Sequence, residues 1–242
     1  MNLLLILAII VALILIIVLF SRSRIYSIYK RYLKIPVSCG LTGKEIAFLS
    51  KDKLELSFLQ FGLIDGVLTD GYNTKTKMLL MSEQVMNTCS ISSAAIIGHE
   101  IGHVLQHKEN NGNLALNRFL TKTTNFTNKF ILPLVIIGLF LYFTKINVNI
   151  GTTLTYISFV LFFLNFLCKL LLIPLEFNAS KKAVIYLKEY GIINNNEYRK
   201  VKKVLRAAGQ TYITSFFDGF IIFNFLKKKS KKKRNKKWVI YY

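Results

Sequence analysis

The sequence predicts a mainly α-helical, polytopic membrane protein with a small strand or hairpin element ahead of a histidine-bearing helix. Three observations lead there. Hydrophobic residues make up 52% of the 242 and mean hydropathy is +0.41, high for a soluble chain and ordinary for a polytopic one. Apolar runs long enough to approach a bilayer crossing recur along the chain. All three histidines, His99, His103 and His107, sit four residues apart in "AAIIGHEIGHVLQH", from Ala94 to His107.

The first element is the unbroken apolar run Leu3 to Phe20. No basic residue precedes it, no small-x-small cleavage site follows, and "SRSR" comes directly after, so it reads as an uncleaved anchor rather than a signal peptide. A metal-site region then occupies residues 21–129, its membrane-free part mainly Ile35 to Asn128. Within it "GVLTDGYNTKTKMLLMS" alternates around a turn, with Gly71 and Asn73 as turn residues, and predicts a hairpin or paired strands. From Ser92 the pattern becomes helical.

Residues 130–175 predict a transmembrane hairpin. Its first leg, "FILPLVIIGLFLYF" (Phe130 to Phe143), is short for a crossing; its second runs from Leu154 to Leu175, interrupted by Asn165 and Lys169. The linker "KINVNIG" is brief. Residues 176–226 form a further helical region, helical around Ser180 to Arg206, with a weaker fourth apolar candidate, Ala207 to Leu226, that contains Asp218. Residues 227–242 are a polybasic tail, "KKKSKKKRNKK" from Lys227 to Lys237.

Basic residues outnumber acidic ones 33 to 12, a net charge of +21. Beside long apolar runs, that balance fits an anionic membrane surface better than a specific nucleic acid, and the tail fits lipid headgroups. The basic stretches Ser21 to Lys129 and Glu176 to Arg206 predict a cytoplasmic site, with the N-terminus and the hairpin linker outside. A cytoplasmic tail then makes the fourth segment re-entrant or interfacial. Three cysteines without paired spacing imply neither a disulfide framework nor a thiolate metal site.

The histidines carry the chemistry. Residues four apart lie on one helix face, separated by about 6 Å of rise, so His99 and His103 can turn imidazoles toward one metal ion. Glu100, displaced by one residue, can reach a water on the open side of that metal. His107 lies two turns from His99, about 12 Å along the axis and rotated by roughly 80°, which is too far for a third tetrahedral ligand. A third ligand must fold back from elsewhere. Asp70 and Asp218 are candidates; topology favours Glu176, which closes the second hairpin leg and returns to the face that the first leg left. A carboxylate against so apolar a stretch must be paired or metal-bound, Lys181 and Lys182 being the alternative partners. Lys169, seven residues before Glu176, either counters charge near the site or is a snorkelling or cavity-facing lysine.

"HEIGHVLQH" followed by "PLEFNAS" resembles the bacterial membrane-bound neutral zinc metallopeptidases of the YugP type. The likeness extends through "GLTGKEIA" (Gly40 to Ala47), "LTDGY" (Leu68 to Tyr72) and "KVLRAAGQTY" (Lys203 to Tyr212). It departs at Gly71, Asn73 and Thr74, where such proteins carry a histidine and a Pro-containing turn. The resemblance implies a gluzincin-like core, Zn2+ held by His99, His103 and Glu176, and Glu100 as the catalytic base; His107, Tyr72, Asn178 and Ser180 are candidates for supporting contacts around the metal. It implies a cell-membrane endopeptidase acting on a peptide or a membrane-protein substrate. The competing classes are a non-catalytic protein stabilised by zinc and a basic lipid-binding adaptor.

Overall fold

A computed structural model describes residues 23–109, 112–214 and 240–241, together with Ile16 and Phe20. It is mainly helical with a small sheet. In chain order the elements are α1 (residues 23–33), α2 (Gly43–Lys53), β1 (Gln60–Ile64), β2 (Gly71–Asn73), β3 (Met78–Ser82), α3 (Glu83–Asn87), α4 (Ile91–Lys108), α5 (Gly112–Phe143), α6 (Val148–Glu189), α7 (Asn195–Thr214) and β4 (Ile240–Tyr241). The chain divides into two compact units.

One unit comprises Arg22–Leu114, Pro174–Gly209 and Asn235–Tyr242. Its sheet has the order β2-β3-β1-β4, with β1 parallel to β3 and β2 antiparallel to β3. Helix α2 begins with a capping box: the Thr42 hydroxyl accepts from the Glu45 amide while the Glu45 carboxylate accepts from the Thr42 amide. Helix α4 starts at Ser90, whose hydroxyl accepts from the Ser93 amide. The core between sheet and helices holds Tyr29, Ile46, Leu59, Phe61, Leu79, Ile97, Ile101 and Leu187, all fully buried.

Two α4 glycines let α6 come close. A Cβ at Gly98 would lie 2.7 Å from the Leu187 side chain, and one at Gly102 would lie 2.3 Å from the Ala179 carbonyl oxygen. At Gly102 bare α4 backbone therefore meets α6 backbone directly, and at Gly98 the missing side chain makes room for Leu187.

The other unit comprises Met1–Ser21, Ala115–Ile173 and Gln210–Arg234. Ala115–Phe143 (29 residues) and Val148–Glu189 (42 residues) are each long and apolar enough to cross a membrane. Phe119, Phe126, Phe140, Phe159 and Phe163 are exposed along them, as expected of surface that faces lipid. Gly138 and Gly151 bring the two helices together, since a Cβ at Gly151 would lie 2.7 Å from the Tyr142 amide nitrogen. Buried Asn165 adds a polar tie, donating to the Thr124 carbonyl at 3.1 Å and the Thr127 hydroxyl at 2.7 Å.

Several sequence expectations change. The run at 130–143 gains length from its neighbours: it is the end of the 32-residue α5, because the Thr- and Asn-rich stretch before it is also helical. The linker is shorter than "KINVNIG": only residues 144–147 lie outside the helices. Gly71 and Asn73 are strand residues of β2, and the turn is residues 74–77, which Asn73 initiates by accepting from the amides of Lys75 and Thr76. Strand β1 carries too short an alternation to announce itself. Lys169 is buried, which agrees with the charge-countering and cavity-facing readings and not with snorkelling. The N-terminal anchor apart from Ile16 and Phe20, the fourth apolar candidate beyond Thr214 with Asp218, and the tail Lys227 to Lys237 lie outside the described residues.

Candidate metal centre

All the side chains that build the site belong to one unit. Helix α4 presents His99 and His103 on one face, with ring centroids 4.8 Å apart. Helix α6 brings Glu176 to them: its Oε2 lies 3.3 Å from Nε2 of His99 and 3.3 Å from Nε2 of His103. One ligand atom from each residue falls within 4.8 Å of the others, and these three form a group that could hold a metal ion. Buried Glu176 Oε2 has no hydrogen-bond partner, so its lone pairs and the two ring nitrogens converge on a common point. Two neutral nitrogens and one carboxylate oxygen are a fitting donor set for zinc.

The far ring nitrogens are held from behind. His99 Nδ1 pairs with the Ser180 hydroxyl at 3.1 Å. His103 Nδ1 lies 3.0 Å from Gln106 Oε1, while Gln106 Nε2 donates to the Leu175 carbonyl and to Asn178 Oδ1, each at 3.1 Å. Because the Leu175 carbonyl can only accept, it fixes which end of the amide faces His103. The amide oxygen there can also only accept, so His103 Nδ1 carries the proton and Nε2 keeps its lone pair for a metal.

Burial lowers the basicity of the His103 imidazole, but the Glu176 carboxylate beside it outweighs that and pushes the ring up to about 9. Metal loading must displace this proton.

Glu100 is buried on the same helix, and its Oε2 accepts the Tyr72 main-chain amide of β2 at 2.8 Å. His107 is not among the converging ligand atoms. Its Nδ1 meets the Tyr72 hydroxyl at 2.5 Å, and its ring stands edge-on to Phe58. Asp70 is also apart from the histidines: its carboxylate accepts from the Ser82 amide at 2.7 Å and from the Ser82 hydroxyl. Burial pushes the Asp70 carboxyl above its usual range, and the charge of Glu100 acts in the same direction. Lys182 pairs with Glu109 rather than Glu176.

Sequence reasoning missed Gln106 and the two glycines. Gln106 stands three residues after His103, the spacing of helix neighbours, and an amide in "HVLQH" was the available signal. Gly98 and Gly102 each directly precede a histidine, a repeat that marks the contact face of α4.

Comparison with known proteins agrees with this geometry. A family described as "Putative neutral zinc metallopeptidase" matches residues 6–226. The chain is 34% identical over 195 residues, 81% of its own length and 83% of the relative's, to the "Putative membrane protease YugP" of Bacillus subtilis (strain 168). No solved structure matches it. With a match over most of its length and a His–His–Glu group suited to zinc, the chain belongs to the neutral zinc metallopeptidase family.

Proposed function

We propose that the protein is a multi-pass, membrane-anchored zinc endopeptidase with a gluzincin-like site on the cytoplasmic side. The convergence of His99, His103 and Glu176, with Glu100 held one residue along the same helix, carries this reading. Those three side chains would hold zinc, which would supply a Lewis acid to polarise a scissile carbonyl and lower the pKa of water toward neutrality. Glu100 is the general base. The Tyr72 amide occupies its Oε2, leaving Oε1 to take the proton from the attacking water and hand it to the departing amine. Gln106 and Ser180 hold the two imidazoles so that Nε2 of each faces Glu176 Oε2, where a metal would sit.

An extended peptide or a segment of a membrane protein is the substrate this reading implies; it would not pair with the Tyr72 amide of the edge strand β2, which already donates to Glu100. The membrane assignment is supported by the two apolar helices and by the name of the Bacillus relative. Basic residues on either side of the hairpin support the cytoplasmic placement, and Lys227 to Lys237 would hold anionic headgroups.

Glu100→Gln tests the reading. Zinc content should stay near about one per chain while peptide cleavage falls by about a hundredfold or more. An unchanged rate would make the metal structural.

A further inference from the structure

Strand β2 is three residues long, lies at the edge of the sheet and opens on Gly71, whose missing side chain would have touched nothing within 4 Å. Such a strand has little of its own to hold it in place, and a slip of one residue would turn every side chain to the opposite face. Yet β2 makes two contacts that depend on its register. The Tyr72 amide points off the sheet and donates to Glu100 at 2.8 Å, and the Tyr72 hydroxyl meets His107 at 2.5 Å. Both would be lost together if β2 slid.

The two ends of β2 are pinned by side chains. Asn73 fixes the turn that follows. Asp70 fixes the start: Ser82, at the end of β3, donates both its amide, at 2.7 Å, and its hydroxyl, at 3.0 Å, to Oδ1. Ser82 also stands at the cap position of α3, but its hydroxyl makes no bond to that helix. It serves Asp70 instead. A half-buried carboxylate near the buried Glu100 is costly, and its bonds from Ser82 offset part of that cost.

We propose that Asp70 is a positioning residue for the general base: by anchoring β2 to Ser82 it sets the register in which the Tyr72 amide orients Glu100. Asp70 touches neither substrate nor metal and acts through Tyr72. The catalytic part of this inference rests on the reading of Glu100 as general base; the structural part does not.

The test uses the full-length chain in detergent or nanodiscs, as wild type, Asp70→Ala and Asp70→Asn. Amide exchange at Tyr72 is read directly, beside zinc content and, on any peptide the wild type cleaves, kcat and KM. In Asp70→Ala the Tyr72 amide should exchange about tenfold faster. Zinc content should not move, and kcat should fall about tenfold or more with KM within about twofold. In Asp70→Asn the amide oxygen still accepts from Ser82, so protection and kcat should largely return. If Asp70→Ala fails to fold, Ser82→Ala takes its place, with a smaller effect in the same direction. Unchanged protection of the Tyr72 amide in the alanine variant would overturn the proposal, as would a loss of kcat that Asp70→Asn does not restore. A wild type that cleaves no peptide would instead sink the enzymatic reading, while the exchange measurement would still decide the anchoring.

Discussion

Gly102 of α4 lies against Ala179 of α6 so closely that a Cβ on Gly102 would come within 2.3 Å of the Ala179 carbonyl oxygen. The contact sits one residue before His103 and three residues after Glu176. It sets the helix separation that lets a carboxylate on one helix reach imidazoles on the other.

Gly102→Ala should therefore push α6 away from α4 and spread the ligands. The obstacle is backbone, which cannot rotate aside, and overpacking of this kind costs about 1–3 kcal/mol. If that cost falls on ligand separation, zinc affinity drops by about five- to 150-fold, measurable by competition with a chelator of known affinity.

Glu176→Ala should abolish stable zinc binding, because two imidazoles alone leave the tetrahedral donor set short of its third protein ligand. Metal analysis of the purified variant beside wild type is decisive. Full zinc content in the variant would require another ligand.

Gln106→Leu should weaken zinc by about ten- to a hundredfold without removing a ligand. Gln106 is buried, and the change leaves His103 Nδ1, the Leu175 carbonyl and Asn178 Oδ1 without the partner they share. The imidazole can then rotate or change tautomer. The same chelator competition reads the effect, with Glu100→Gln as a control that keeps its zinc.

The pH dependence follows from His103. Its metal-free pKa is raised from 6.5 to about 9, so its contribution to the stability of the metal-free protein is full below 6.5 and is lost as pH rises through 9. Zinc affinity should move the opposite way, rising across that window as the competing proton leaves. Calorimetry of zinc binding at pH 7 in buffers of different ionisation enthalpy should report proton release; none would contradict the placement of Glu176 beside His103.

Asn165→Leu should loosen the α5–α6 pair by about 1 kcal/mol, the scale of an interhelical hydrogen bond inside a membrane. Its amide bridges to Thr124 and Thr127. Thermal unfolding in detergent measures the loss, and zinc affinity should be little changed because Asn165 and the ligands belong to different units.

Legibility in the sequence followed the range of the signal. Wherever a pattern repeats within a helix turn it could be read: the four-residue histidine spacing, the apolar legs, and Glu176 at the end of the second leg. Strand β1 could not, because five residues paired in parallel with β3 need a partner that only the fold supplies. Topology ranked Glu176 above Asp70 as a ligand but gave Asp70 no other partner; the fold supplies one in the Ser82 amide and hydroxyl.

By itself, the sequence determined the identity and helix face of His99, Glu100 and His103, since side-chain direction on a helix follows from spacing alone. Tertiary structure decided which carboxylate joins them, which atoms orient the imidazoles and what holds Glu100 in place. Each of those depends on two backbones approaching within a few ångströms, as Gly102 and Ala179 do, and that distance is set by packing across segments far apart in the chain.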